Sequence, residues 1–265
     1  MNHVKIAAHP RTLPTARELG TSLGCKVLKQ DTTFNVTNRS IINWGRSDLS
    51  AIPGIRGTRT ILNHPEAVAR AVNKLTTLTT IGNTFGVEFT TDTDEAAEWL
   101  NEDEVVFART TLSGYGGSGI VVARTSDDLV PAPLYTKYFN GRYEFRVHVA
   151  GDVTDASTYN TLLIQRKGLP TGTASASDGL IRNLDNGYTF VINDPIPDDI
   201  SGAMIERMTA VCKLAVHRLG LHFGAVDVRM KRNGEFRILE VNSAPGLSGT
   251  TLEAYTNYFR TMLPR

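Results

Sequence analysis

The stretch "RMKRNGEFRILEVNSAPG", residues 229–246, decides the fold. Asn233-Gly234 signals a two-residue hairpin turn, whose central residues both need positive φ. With Arg232 and Glu235 flanking that turn, opposed residues have numbers summing to 467, and Asp227 faces Glu240. Strand alternation puts Asn242 on the same face as Glu240. Two acids directly opposite each other repel, where a favourable cross-strand pair contributes roughly 0.2–1 kcal/mol. The flanking Ala225, Val226, Val228, Leu239 and Val241 argue that the hairpin lies in a core. The pair has no cationic partner of its own in this reading. A hard divalent cation explains the set, because it takes oxygen ligands, one or two carboxylates together with phosphates and waters.

The whole chain sets the limits. It has 265 residues, 41% hydrophobic and 21% charged, with length for one large domain or two to three small ones. A net charge of +1 gives no argument for a nucleic-acid or membrane partner. Cys25 and Cys212 lie far apart and lack metal-ligand spacing, which fits a reducing compartment. The first residues, "MNHVKIAAHPRT", do not read as a signal peptide. No apolar run approaches the roughly 20 residues of a membrane span. The expectation is a cytoplasmic protein, a monomer or homodimer.

"VKIAA" (4–8), "CKVLK" (25–29) and "SIINWG" (40–45) read as strands, with a helix over 12–24, and 46–63 reads as loop. His64-Pro65-Glu66 opens a helix that runs to Gly82 on Val68, Val72, Leu75 and Leu78. Residues 86–100 give a strand and a helix with Asp92 and Glu95 in a capping-box-like start. Strands follow at 104–110, 119–124, 132–139 and 143–153, then a flexible polar stretch over 167–180. A hairpin is expected over 181–192, turning at Asn186-Gly187, then a helix over about 200–219 and a final helix from Thr250. No G-x-G-x-x-G follows the first strand, so a dinucleotide fold has no support.

"SGYGGSG" (113–119) places four glycines in seven residues between two strands. Glycines let backbone N–H groups approach phosphate oxygens. With the metal hairpin, "NKLTTLTTIG", "VVFARTTLSGYGGSGIVV", "LYTKYFNGRYEFRVHV" and "GAVDVRMKRNGEFRILEVNSAPG" follow one another in the order of the ATP-grasp superfamily. Over about residues 64–255 the chain resembles that superfamily. It looks most like RimK-type, glutathione-synthetase-like and D-alanine-ligase-like ligases, including small versions carried by bacteriophages. The resemblance implies an α+β (α/β) chain with ATP between two antiparallel sheets. Its parts are an N-terminal α/β domain (1–63), a lid (64–133) and a C-terminal subdomain (134–265).

The resemblance also implies roles. Asp227, Glu240 and Asn242 fall on the ligands of Mg²⁺, or of Mn²⁺. Ser113, Gly114, Gly116, Gly117, Ser118 and Gly119 fall on the loop over the β- and γ-phosphates. Lys74 and Arg109 fall on the cations that reach the phosphates, Arg109 where a second lysine is usual. Tyr135, Lys137, Tyr138 and Phe139 fall on the hinge strand beside adenine, with Lys137 where a carboxylate is common. Glu144 falls on the ribose carboxylate and Arg146 beside the transferring phosphoryl group. Substrate contacts are implied for Ser243, Gly246 and Ser248, with Ala244 replacing a frequent serine. Arg46, in "NWGRS", offers a partner for a substrate carboxylate. His148 reads as a satisfied structural histidine and Trp44 as packing.

The implied activity joins a carboxylate to an amine through an acylphosphate, on small-molecule or peptide substrates. A kinase and a nucleotide-binding interaction protein are the alternatives.

Overall fold

The computed structural model describes residues 3–29, 36–48, 57–114, 116–170, 172, 179–191 and 195–263. Much of the stretch expected to be flexible, 171 and 173–178, lies outside the described residues.

The first sheet is parallel, in the order β2-β1-β3-β4. It comprises β1 (Val4–Ala8), β2 (Lys26–Val27), β3 (Ser40–Trp44) and β4 (Thr60–Leu62), with α1 (Leu13–Leu23) after β1. The strand β4 lies in a stretch that reads as loop, because it is short and follows Pro53, Gly54 and Gly57. α1 ends at Gly24.

Two helices follow, α2 (Pro65–Val72) and α3 (Lys74–Ile81). The expected single helix breaks at Asn73, which takes φ −81° and ψ 109°. Its side chain accepts from Thr76 N at 3.0 Å and so caps α3. Thr77 Oγ1 stands 3.1 Å from the carbonyls of both Arg70 and Ala71, at the end of α2. The break puts Lys74 on the first turn of a helix.

The second sheet is antiparallel, in the order β5-β8-β6-β7. Its strands are β5 (Phe89–Thr90), β6 (Val106–Arg109), β7 (Ile120–Ala123) and β8 (Leu134–Lys137). It packs on α4 (Thr93–Asn101) through Trp99, Leu100, Val106, Ala108 and Tyr135. Since β8 pairs with β5 and β6, this sheet runs past the boundary expected at 133. Asp92 caps α4 by accepting from Asp94 N, but Glu95 accepts from the Thr90 hydroxyl instead of closing a capping box.

The third sheet has the order β11-β10-β9-β12-β13 and is antiparallel throughout. It comprises β9 (Tyr143–Asp152), β10 (Asp155–Gly168), β11 (Thr189–Val191), β12 (Phe223–Met230) and β13 (Phe236–Asn242). One face, with Phe145, Val147, Val226, Val228 and Met230, packs on α2 and on α5 (Gly202–Arg218). The hairpin expected over 181–192 does not form. Gly187 does take positive φ, but residues 181–188 fold locally around Asn183 and only β11 pairs, with β10.

The sheet ends against α6 (Thr250–Met262), where Trp44, Phe223, Tyr255 and Phe259 make one aromatic cluster. Trp44 is fully buried in it, stacked on Phe223 at 5.2 Å. Ala16 and Leu19 of α1 belong to the same core, so the first and third sheets are joined by continuous apolar packing.

The β12–β13 turn differs from a two-residue hairpin. Lys231 N donates to Glu235 O, and Gly234 alone takes positive φ, at 81°. Three residues therefore form the loop, and near it opposed residues sum to 466, as in Val228↔Ile238. One extra residue in β13, Leu239, then restores the expected register. Asp227 faces Glu240 through a β-bulge, not through the turn first inferred.

Candidate active site

The face of the third sheet opposite the apolar core is polar and largely buried. Two rows of side chains run across it. The first joins Lys167, Glu144, Arg229 and Arg237; the second joins Gln165, Arg146, Asp227 and Glu240. Glu144, Asp227, Arg229 and Gln165 are all buried. Ions removed from water cost several kcal/mol each unless paired, and each of these ions is paired.

Arg146 binds Asp227 as a fork, with Nε–Oδ1 2.6 Å and Nη2–Oδ2 2.7 Å. Lys167 Nζ lies 3.9 Å from Asp227 Oδ2. Burial alone pushes the Asp227 carboxyl up, but the Arg146 and Lys167 charges outweigh it and bring it down to about 2. The absence of a cationic partner, expected from the sequence, is thus corrected. The repulsion between the opposed acids is compensated from β9 and β10, strands that the hairpin alone does not reveal.

Glu144 accepts from Lys167 Nζ and from Arg229 Nη2, the latter at 2.7 Å. Its partner is therefore not Arg146, two residues along the same face. Arg229 also donates to Leu180 O at 3.2 and 3.3 Å. Lys167 and Arg229 were missed by sequence reasoning. Alternation offered a signal for Arg229, which lies two residues from Asp227 on its face.

Glu240 is partly buried and accepts from Asn242 Nδ2 at 3.1 Å. Lys74 Nζ stands 3.6 Å from Glu240 Oε2 and donates to Gly114 O at 2.9 Å. One ammonium therefore links the β12–β13 hairpin to the glycine-rich loop. Gly116, Gly117 and Gly119 all take positive φ, and Asn183 Nδ2 ties Gly116 O at 2.8 Å. Ser113 and Ser118 are exposed on this loop. Tyr115 lies outside the described residues.

Arg109 is buried at the end of β6, 3.3 Å from Thr136 Oγ1 through Nε. Burial lowers its pKa, opposed by the Glu240 charge. Among the described residues no carboxylate lies within ion-pair distance of it. Leu78, Val87, Leu134, Phe139 and the bulged Leu239 belong to one apolar cluster.

The hinge strand is less uniform than expected. Tyr135 is fully buried in the second sheet's core, its hydroxyl held by Val130 O and Ala132 N. Lys137 directs its ammonium to Glu88 at 3.3 Å and over the Trp99 ring at 5.0 Å. Tyr138 N donates to Val105 O, and Tyr138 lies beside Phe107 and under Arg229. Phe139 lies between Lys231 and Arg237, 4.9 and 5.4 Å from its ring.

His148 is buried two residues beyond Arg146. Its Nε2 faces Gln165 Oε1 at 2.8 Å and its Nδ1 faces the Tyr255 hydroxyl at 3.2 Å. Burial, chiefly, lowers its pKa to about 4, so the ring is neutral.

The two expected substrate regions meet. A side chain on Gly45 would come within 2.9 Å of Ala244 Cβ. Asn43 holds the loop's turn, accepting from Arg46 N and donating to Arg46 O. It also donates to Asn63 O. Asn63, at φ 62°, donates to Phe223 O at 2.9 Å and Ser243 O at 3.3 Å. These buried amides, also missed from the sequence, fix the first domain against the end of β13. Ser243 is buried, whereas Gly246 and Ser248 are exposed, Ser248 bonded with Thr251 at the start of α6. Arg46 is partly buried and near His9.

The architecture is that of the ATP-grasp fold. A D-alanyl-alanine synthetase A from Vibrio cholerae superposes with TM-score 0.72 at 14% identity, over 98% of this chain and 97% of the other. The D-alanine–D-alanine ligase of Bacillus anthracis gives 0.66 at 13%, over 99% and 93%. The ATP-grasp ligase PsnB, solved with a minimal precursor, gives 0.65 at 13%, over 99% of both chains. No family model and no curated protein matches the sequence. No helix among the described residues is long and apolar enough to cross a membrane.

Proposed function

We propose that the protein is an Mg·ATP-dependent ligase that joins a carboxylate to an amine. The observation that carries this reading is Lys74, whose ammonium spans Gly114 O and Glu240. It links a phosphate-type loop to a metal-type hairpin on the polar side of a buried sheet. PsnB, which shares the fold, has been solved with Mg and ADP.

The donor set fits Mg²⁺. Among the described residues, no group of three or more His, Cys, Asp or Glu side chains could hold a metal. One or two carboxylates hold a nucleotide-bound magnesium, with phosphates and water completing its shell, and the Asn242 amide oxygen is a further hard donor of the same kind. Asp227, Glu240 and Asn242 would hold it. It would supply charge neutralisation at the phosphates.

The chain's own residues do the rest. Lys74 and Arg109 bind phosphate oxygens, with the backbone of Ser113–Gly119 over them. The hinge backbone from Tyr135 through Lys137 and Tyr138, with the Phe139 ring, flanks the base. Glu144, held by Lys167 and Arg229, faces the ribose. Arg146, oriented by Asp227, donates to the transferring phosphoryl group. A substrate carboxylate oxygen attacks the γ-phosphorus and ADP leaves, giving an acylphosphate. An amine then attacks the acyl carbon, and phosphate leaves with the bonding pair while the amine loses its proton. Fixed cations stabilise charge that develops on the phosphoryl oxygens. Arg46, Ser243, Gly246 and Ser248 line the acceptor side.

The test is an ADP-release screen over amino acids, short peptides and other carboxylates, read by mass spectrometry. Amide plus free phosphate supports the reading. A phosphorylated product makes the protein a kinase, and no substrate-dependent ADP release makes it a nucleotide-binding protein without this chemistry.

A further inference from the structure

A cavity of about 680 Å³ opens at the ends of β9, β10 and β12, lined by Lys167, which also holds Glu144, and by Lys231 and Arg232 of the β12–β13 turn. Six cations line it: Arg142, Arg166, Lys167, Arg182, Lys231 and Arg232; no carboxylate does among the described residues. Three of the six have acids behind them. Lys167 is held by Glu144, Lys231 by Glu235 at 2.8 Å and Arg232 by Asp199 at 3.3 Å. Among the described residues, Arg142, Arg166 and Arg182 have no carboxylate within 4.0 Å.

The arginines are also short of acceptors. Among the described residues, Nε of Arg166 and Nε of Arg182 are both buried without a hydrogen-bond partner. A buried N–H of a charged group left unpaired is costlier than that of a neutral one. Arg182 spends its other nitrogens on Arg142 O and Gly141 O, at 3.1 Å each. Burial and then the nearby Arg229 charge disfavour its protonated form further. An anion in the cavity relieves both deficits.

We infer that this pocket binds an acidic peptide segment, the part of a peptide substrate that anchors it outside the reacting centre. That identity rests on the ligase reading above. Three features favour carboxylates on a peptide. Among the described residues, the uncompensated cations are all guanidinium forks, which match carboxylates in a two-pronged geometry. Among the described residues, the lining supplies no glycine-rich turn like Ser113–Gly119, the feature that suits a phosphate chain. The volume exceeds what one small anion fills. Tyr143, at the cavity, and Arg146 are three residues apart on β9, or about 10 Å at about 3.4 Å per residue. A substrate anchored here therefore has its reacting group within a few residues' reach of Arg146.

The test is fluorescence anisotropy at low salt with a labelled, glutamate-rich hexapeptide and its glutamine counterpart. Phosphate and pyrophosphate serve as competitors, and Mg·ATP affinity is measured on the same samples. The glutamate peptide is expected to bind and the glutamine peptide to bind at least about tenfold more weakly. Arg166→Gln and Arg182→Gln should each weaken it by about tenfold or more. Arg142→Glu, at an exposed position, should weaken it by about threefold without endangering the fold. All three should leave Mg·ATP affinity unchanged. Equal binding of the two peptides, indifference to all three substitutions, or displacement by phosphate at concentrations where added peptide has no effect, each overturns the proposal. Peptide binding by a protein that does not bind Mg·ATP leaves the pocket standing and removes the ligase reading.

Discussion

Arg146 and Asp227 face each other on neighbouring strands and are locked by two short hydrogen bonds, of 2.6 and 2.7 Å. Asp227 thus orients Arg146 and stands opposite Glu240, the pair we propose as metal ligands. Asp227→Ala should cost about 3–5 kcal/mol, because it leaves a desolvated guanidinium without its partner. Urea unfolding in EDTA measures this without nucleotide. The Arg146→Ala, Asp227→Ala double variant should fall short of additivity by about 1 kcal/mol or more. A neutral or stabilising Asp227→Ala would restore the simple picture of two repelling acids.

His148 gives a pH dependence. Its folded pKa of about 4 lies below the ordinary 6.5, so the unfolded chain takes up the proton first. Its contribution is fully present above about pH 6.5 and is lost as pH falls towards 4. The loss is about 3 kcal/mol, from the difference between 6.5 and about 4 at 1.36 kcal/mol per pH unit. Denaturant melts across that range should show a slope that His148→Gln flattens. An unchanged slope would place the ring in contact with solvent.

Asn63 should prove costly to replace. Its side chain serves Phe223 O, Ser243 O and Phe223 N, and its backbone is left-handed. Asn63→Ala should lose about 2–4 kcal/mol through these bonds and the conformation. Asn63→Gly should lose less, since glycine accepts positive φ. Thermal denaturation of the two variants compares them directly, and equal losses would assign the cost to hydrogen bonds alone.

Lys137 is expected to be silent towards nucleotide. Its ammonium is committed to Glu88 and Trp99 on the second sheet's side. Lys137→Ala should change Mg·ATP affinity by less than about twofold and stability by less than about 1 kcal/mol. A large drop in affinity would return the side chain to the adenine site.

The sequence made local order legible, and long-range partners much less so. Alternation through Val226, Val228 and Val241 revealed the β12–β13 hairpin. Asp227 met Glu240 as expected only because the bulge at Leu239 offset the third residue of the turn. β10 escaped notice, since "TDASTYNTLL" alternates poorly and the strand pairs through two register shifts. Lys167–Glu144–Arg229 needs the registers of three strands at once. Asn63 bonds to groups 160 and 180 positions away, which no window of sequence contains. The break at Asn73 was closer to hand, because asparagine is a favoured helix cap. The apolar spacing of Val68, Val72, Leu75 and Leu78 concealed it.

Calorimetric titration with a non-hydrolysable ATP analogue, with and without Mg²⁺, in the native protein and in Lys74→Ala, bears most directly on the central claim. Saturable binding that requires Mg²⁺ is predicted, weakened by about tenfold or more when the ammonium that spans Gly114 and Glu240 is removed. No Mg²⁺-dependent heat at millimolar nucleotide, or equal affinity in the two proteins, would contradict it.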